Sequence, residues 1–508
     1  MTTTPGRLTR GTLALALATT ALAATLAPGT AAATTPDSVR WGPCPEGVDD
    51  ARLECGTLDV PLDYRDPDGR RIEIVISRLA SEHPDRRRGV LVTNPGGPGG
   101  PGLDFPAVLA DSGLPQEILD GYDLIGMDPR GVGHSTPVTC EMTEDQQRRG
   151  AFAPYAHTEA DVAAEAPHAR ELAAQCADSA TDWLLPHTTT ANTARDLDRV
   201  RAALGEPRIS YLGYSYGTQL GATYATLFPE RGDRMVLDSA LGADGYDVDA
   251  MRLFARGLQD RFPDFAAYAA AHPEYGLGET PEQVTATFYE LADRLDADPV
   301  DGVHGTHFRG LTFELLYADA TMPLLAEYWR DLDAGRPLPG ELPAGRENMM
   351  AARLFFTCAD SRWPTTVAAY QRNTAVDRER YPMLGGSTAS IGPCAYWPTE
   401  GIEPPVRIGD DGPANLLLVQ NERDPGTPLV GALDLRRALG DRATLVTADQ
   451  GGHGVYLFGT NTCANEAVTT YLTTGRRPAD DLACAAEPQP EPGDEPRPEA
   501  RRLPLPLG

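Results

Sequence analysis

Along the chain, apolar positions recur with two different periods. Residues Arg71–Leu79, "RIEIVISRL", alternate like a strand with one buried face. Residues 89–102, "GVLVTNPGGPGGPG", begin as a short apolar run and pass into a glycine-rich loop, and residues 122–135, "YDLIGMDPRGVGHS", repeat that plan. Between such runs the period lengthens. Over residues 194–204, Leu197, Val200 and Leu204 fall on one helical face, and Gly205 stands where a C-terminal cap belongs. Three further buried strands are expected at 234–237, 415–419 and 443–446. Strands that alternate with helices predict a mostly parallel sheet covered on both faces.

This alternation is interrupted from about residue 242 to 405. Phe254, Leu258, Phe262 and Phe265 recur there at helical spacing among Pro- and Gly-rich turns. The stretch therefore reads as an inserted, mainly helical lid whose phenylalanines pack a core, dividing a core unit of 34–241 from its continuation at 406–484. Beyond Cys484 the chain becomes "AAEPQPEPGDEPRPEARRLPLPLG". Proline and charge without aromatics bury too little surface to offset the entropy of ordering, so 485–508 is expected to be a disordered tail. At the other end, Arg7 and Arg10 precede an uncharged apolar run, 13–26, then Pro28 and the small residues Ala31, Ala32 and Ala33. That order predicts a secretory signal peptide over 1–33, cleaved near Ala33, because the run is shorter than the ~20 residues that span hydrocarbon. The mature protein is expected outside the cytoplasm, without a membrane span.

Composition narrows the partners. A chain of 508 residues with 41% hydrophobic content can bury a full core, and its formal charge of -29 repels polyanions, so nucleic acid is not an expected partner. All eight cysteines follow the predicted signal, and none form a Cys-x-x-Cys pair. An even count in an exported chain points to disulfides rather than a metal or redox site. Neighbour pairing is expected: Cys44 with Cys55, Cys140 with Cys176, Cys358 with Cys394 and Cys463 with Cys484. Each such bond staples one local segment and typically contributes about 2–4 kcal/mol.

The candidate chemistry lies in "RISYLGYSYGTQLGATYA", residues 208–225, where a strand pattern gives way to a small-residue helical one. Gly213, Tyr214, Ser215, Tyr216 and Gly217 match G-x-S-x-G in the context that gives this motif meaning, a strand before and a helix after. Gly221 and Ala222 extend the small face that helix-to-sheet packing needs. A serine hydroxyl attacks only when a neighbouring base takes its proton, and the base needs a third group to hold its tautomer. In the α/β-hydrolase arrangement these follow in the order Ser, acid, His. Asp424 in "LLLVQNERDPGTP" and His453 in "ATLVTADQGGHG" each stand just past a late strand. Of the nine histidines only His453 does so; His134 precedes the serine and reads as a loop residue. Glu422 and Asp238 are the alternative acids, with Asp424 preferred because it opens a turn with Pro425 and Gly426, and Thr427 is placed to fix its rotamer. Two backbone N–H groups would receive the oxyanion, that of Tyr216 and, from the glycine-rich loop, that of Gly97. No G-K-[ST] follows that loop, which disfavours a phosphate cradle. Because His453 must be neutral to accept a proton, activity is expected to fall as pH drops below about 6–7.

Taken together, "NPGGPGGPG", "DPRGVGHS", "TARDLDRVRAALG", "YLGYSYGTQLGATYA", "FFTCADS" and "GGHG" resemble the secreted bacterial tripeptidyl aminopeptidases and their TAP-like α/β-hydrolase relatives, which are related to the proline iminopeptidases. The likeness runs from about Trp41 to Cys484. It implies an α/β-hydrolase fold with a mostly parallel central sheet and an inserted helical cap. It also implies a serine exopeptidase in which Ser215, Asp424 and His453 match the family triad. No metal or organic cofactor is implied. Peptides with a free N-terminus are the expected partners, and a monomer is favoured. Where the iminopeptidases have His-Gly-Gly-Pro-Gly, this chain has Pro95 at the first position, which weakens a single-proline specificity. An aminopeptidase needs a lid carboxylate for the substrate amine, and Asp360 is the candidate. An endopeptidase or a carboxylesterase would use the same triad. A non-catalytic binding module usually loses the nucleophile or the base, and both are present here.

Overall fold

The computed structural model describes residues 38–150, 152–339 and 346–488. The expected signal peptide and residues 489–508 of the expected tail lie outside them. Ten strands form one sheet: β1 (Arg40–Gly42), β2 (Leu53–Pro61), β3 (Arg71–Leu79), β4 (Gly89–Asn94), β5 (Tyr122–Met127), β6 (Ile209–Tyr214), β7 (Gly232–Asp238), β8 (Leu416–Arg423), β9 (Ala443–Gly451) and β10 (Leu482–Cys484). Their order across the sheet is β1-β2-β3-β5-β4-β6-β7-β8-β9-β10. The β1–β2, β2–β3 and β3–β5 pairs are antiparallel, and every pair from β5–β4 to β9–β10 is parallel. This is the α/β-hydrolase fold. The expected strand at 234–237 lies inside β7, that at 415–419 is the first half of β8 with Asn415 just before it, and that at 443–446 is the start of β9, while the edge strands β1 and β10, and β2 next to one edge, carry no continuous apolar run that would announce them.

Alternation along the strands sends side chains to two separate cores. Val90, Val92, Tyr211, Leu237, Leu416 and Leu418 face one, while Leu91, Leu212, Val236, Leu417 and Val419 face the other. The helix Thr190–Ala203 covers the first, with Leu197 and Val200 buried. It starts earlier than its apolar face predicts, because the Thr189 side chain accepts the Asn192 N–H and caps a polar first turn. Between β7 and β8 the described residues are mainly helical, with Val248–Ala271, Pro281–Ala297, Gly305–Leu315, Met322–Asp333, Glu347–Asp360 and Val367–Arg380 as the main elements. Phe254, Leu258, Phe262 and Phe265 are buried there in a cluster continuous with the first core, around the fully buried Trp329. The cysteines pair 44–55, 140–176, 358–394 and 463–484, the neighbour pattern. No helix among the described residues is long and apolar enough to cross a membrane.

The chain passes from β4 to β5 on one side, then returns to lay β6 on the other. That reversal opens a crevice at the carboxyl ends of β4 and β6. The glycine-rich loop and Ser215 are the segments that emerge there.

Candidate active site

Ser215 follows β6 directly and precedes the helix Tyr216–Leu227, with φ 55° and ψ -123°. A non-glycine residue in this sparsely populated region costs of order 1–3 kcal/mol and persists only where its surroundings enforce it. They do so here. Its N–H donates to the Asp238 carbonyl at 2.9 Å, and its carbonyl accepts from the Thr218 N–H at 2.8 Å and the Thr218 hydroxyl at 2.6 Å. The flanking glycines are needed for space: a Cβ at Gly213 would lie 2.7 Å from the Gly217 carbonyl oxygen, one at Gly217 would lie 2.8 Å from Asn94 Oδ1, and one at Gly221 would lie 2.6 Å from Leu237.

Asp424 and His453 come together although 29 residues separate them. His453 Nδ1 lies 2.9 Å and 3.0 Å from the two oxygens of Asp424. Asp424 Oδ1 also accepts the N–H groups of Gly426 and Thr427, both at 2.8 Å, and Oδ2 accepts the Thr427 hydroxyl at 3.0 Å. The expected rotamer-fixing contact of Thr427 is thus present. A carboxylate on Nδ1 places the ring proton there and leaves Nε2 as the basic nitrogen. That Nε2 is buried and has no hydrogen-bond partner among the described residues. The imidazole is held from the helical stretch as well, since the His453 N–H donates to the Tyr317 carbonyl at 2.7 Å and the Tyr317 ring packs 4.7 Å from the imidazole.

The glycine-rich loop runs against the serine. A Cβ at Gly96 would fall 2.9 Å from Ser215 Cβ, and Gly96 and Gly97 adopt φ of +105° and +124°, which a side chain would resist. Asn94 Oδ1 accepts the Gly96 N–H at 3.0 Å and fixes the start of the turn. At its far end, Asp128 accepts the Gly102 N–H at 2.8 Å. The N–H groups of Gly97 and Tyr216 have no protein acceptor among the described residues. Tyr246 reaches over from the far side, its hydroxyl donating to the Gly97 carbonyl at 3.3 Å beside the Ser215 side chain.

The other expected candidates are placed elsewhere. Asp238 is fully buried and accepts the N–H groups of Val455 at 2.9 Å and Tyr456 at 2.7 Å, and the Ser239 hydroxyl accepts that of Gly454 at 2.9 Å. It therefore anchors the turn that carries His453. Burial pushes its carboxyl up to about 7, against the downward pull of those donors. Among the described contacts none joins Glu422 to the imidazole, and His134 is exposed. Asp360 accepts the N–H of Thr190 at 2.9 Å and its hydroxyl at 2.6 Å, capping the helix Thr190–Ala203, and burial raises it to about 7. The same Thr190 hydroxyl meets the Tyr216 hydroxyl at 2.7 Å. Asp360 thereby fixes the residue after Ser215.

Three features escape sequence reasoning. Tyr246 and Tyr317 stand in no motif, and only their helical neighbourhood is legible. The third is a buried pair, Arg130 to Asp196 at 2.6 and 2.7 Å, to which the Tyr64 hydroxyl adds a bond at 2.7 Å. It joins "DPRGVGHS" to "TARDLDRVRAALG", and the opposite charges carried by these two motifs were the available signal.

The chain matches the family described as TAP-like protein over residues 381–484. It is 36% identical over 462 residues to the tripeptidyl aminopeptidase of Streptomyces lividans, covering 87% of this chain and 85% of the relative. It is 30% identical over 487 residues to serine protease Hip1 of Mycobacterium tuberculosis, covering 88% and 91%. It is also 32% identical over 483 residues to carboxylesterase B of the same species, covering 88% and 89%. Likeness of this extent, on a sheet of this topology, places the chain in the tripeptidyl aminopeptidase family of α/β-hydrolases, as a serine peptidase.

Proposed function

We propose that this protein is a secreted exopeptidase that releases tripeptides from free N-termini, with Ser215 as nucleophile, His453 as general base and Asp424 as its orienting acid. The observation that carries the reading is the imidazole, fastened through Nδ1 to Asp424 while Nε2 is buried and without a partner among the described residues. Nε2 takes the Ser215 proton as Oγ attacks the scissile carbonyl. The oxyanion is received by the N–H groups of Gly97 and Tyr216, a type of contact worth several kcal/mol in a water-poor site. The imidazolium, stabilised by Asp424, then protonates the leaving amine, and water hydrolyses the acyl-enzyme by the reverse sequence.

Residues 242–405 serve as the cap that shapes the substrate pocket. The finer reading is supported by the name of one relative, tripeptidyl aminopeptidase, and peptide cleavage in general by that of another, serine protease, whereas carboxylesterase B favours an ester-cleaving alternative with the same triad. Four disulfides and the charged, then apolar, then small-residue N-terminus support export.

The test is a panel of chromogenic peptides of one to four residues, free or N-acylated, with a simple acyl ester beside them. The free tripeptide is expected to be cleaved best by the wild type, and Ser215→Ala is expected to lose at least about 10⁴-fold in kcat. Equal cleavage of free and acylated tripeptides would sink the exopeptidase reading and leave an endopeptidase or esterase.

A further inference from the structure

Two charged side chains beside the site take no part in the chemistry above. Glu314 lies in the last turn of the helix Gly305–Leu315, and its carbonyl accepts the N–H of Tyr317, the residue that holds His453. Its carboxylate has no hydrogen bond or ion pair among the described residues. Arg353 belongs to the helix Glu347–Asp360, which packs on the glycine-rich loop closely enough that a Cβ at Gly99 would lie 3.2 Å from the Arg353 nitrogen. It is only 9% exposed, its Nη1 has no partner among the described residues, and its Nη2 meets nothing stronger than Met251 Sδ at 3.8 Å. Tyr246, Tyr317 and Glu314 are its electrostatic neighbours.

A buried guanidinium with an idle donor and a half-buried carboxylate with no donor would ordinarily close into an ion pair, because unpaired groups out of water are costly. Here they stay more than 4 Å apart while sensing each other's charge. The ligand that satisfies both presents a cation and, a short distance away, a carbonyl oxygen. The first residue of a peptide with a free amino terminus has that pattern. Arg353 also lines a cavity of about 130 Å³, whose walls are mainly apolar side chains such as Met142, Phe152, Leu172, Met350 and Leu354.

We propose that Glu314 accepts the α-ammonium of the substrate, that Arg353 Nη1 donates to the first peptide carbonyl, and that the cavity takes the first side chain. This rests on the exopeptidase reading and supplies its recognition element, a role that Asp360, already engaged by Thr190, does not fill. Fixing the amine on a helix that also braces the base would set where along the peptide Ser215 cuts. Burial lifts the Glu314 carboxyl to about 7 while Arg346 and Arg353 draw it down, and a bound ammonium would favour its ionised form further.

The test compares kcat/KM for a tripeptide anilide and its N-acetyl form in wild type, Glu314→Gln and Glu314→Asp. Wild type is expected to prefer the free amine by about 100-fold or more, the scale of a charge-assisted contact added to an amine's steric fit. Glu314→Gln is expected to lose at least tenfold of that preference, mainly through KM on the free substrate, and Glu314→Asp to recover part of it. If wild type discriminates and both variants still do so fully, this assignment is overturned while the exopeptidase reading stands. If wild type does not discriminate, both fall together. Should Glu314→Gln fail to fold, Glu314→Asp and inhibition of wild type by free against N-acetyl tripeptide still decide.

Discussion

The strand ends and the helical stretch that faces them meet at one site, but they position side chains by different means. At the strand ends the backbone does the placing. Ser215 is forced into a strained turn between β6 and a helix, Gly96 and Gly97 bend a loop against it, and Asp424 and His453 leave adjacent parallel strands within three residues of their ends. In the helical stretch, side-chain packing and isolated hydrogen bonds do it. Tyr246 and Tyr317 arrive from loops beside their helices, held by burial and by single bonds to Gly97 and His453. The first arrangement fixes the atoms proposed to react and the second fixes what surrounds them. Substitutions in the two regions should therefore differ in kind as well as size.

The largest separation is expected from the acid. Asp424→Asn should leave thermal stability nearly unchanged and cut kcat by about 10⁴-fold, since the imidazole loses the group that selects its tautomer. Asp238→Asn should change kcat by less than about tenfold, because Asp238 binds the backbone behind His453 and not the ring. Steady-state kinetics of the two purified variants would decide, and the reverse order would transfer the acid's role to Asp238. On the other side of the site, Tyr246→Phe removes one hydroxyl that steadies the Gly97 loop. A fall of about three- to tenfold in kcat/KM is expected, in line with about 1 kcal/mol for a single neutral hydrogen bond; a loss of 10³ would mean that the helical stretch contributes a reacting group.

The smallest effect concerns stability. Asp238 is lifted to about 7 by burial, above the ordinary carboxylate value near 4. A raised carboxyl contributes stability fully present below its unfolded value and lost as pH rises through its folded value. The melting temperature is therefore expected to fall between pH 5 and pH 8, and Asp238→Asn to flatten part of that slope. A Tm profile unchanged by the substitution would show that Asp238 is ionised throughout.

Legibility followed the same division. The β6 turn, the glycine-rich loop and the strand ends bearing Asp424 and His453 could be read because strand-to-turn transitions leave local signatures: β-branched runs, glycines at tight approaches, and Pro-Gly turns. Pairing of the cysteines was also local. Tyr246, Tyr317, Glu314 and Arg353 left no such trace. Helical periodicity reports which face is buried, as it did for Phe254 and Phe262, but not which neighbour that face meets or which polar residue at its margin overlooks the site. Asp360 illustrates the point. Sequence offers it as the carboxylate for a substrate amine, whereas the fold turns it onto Thr190, a partner 170 residues away in sequence.

One contact has a further mechanical meaning. The peptide nitrogen of His453 hangs from the carbonyl of Tyr317, so the residue proposed as the base is tied to the helical stretch between β7 and β8 as well as to its own strand end. A helical stretch that swung away at each turnover would loosen the residue it supports, so Tyr317 is expected to stay in place while substrate enters and product leaves.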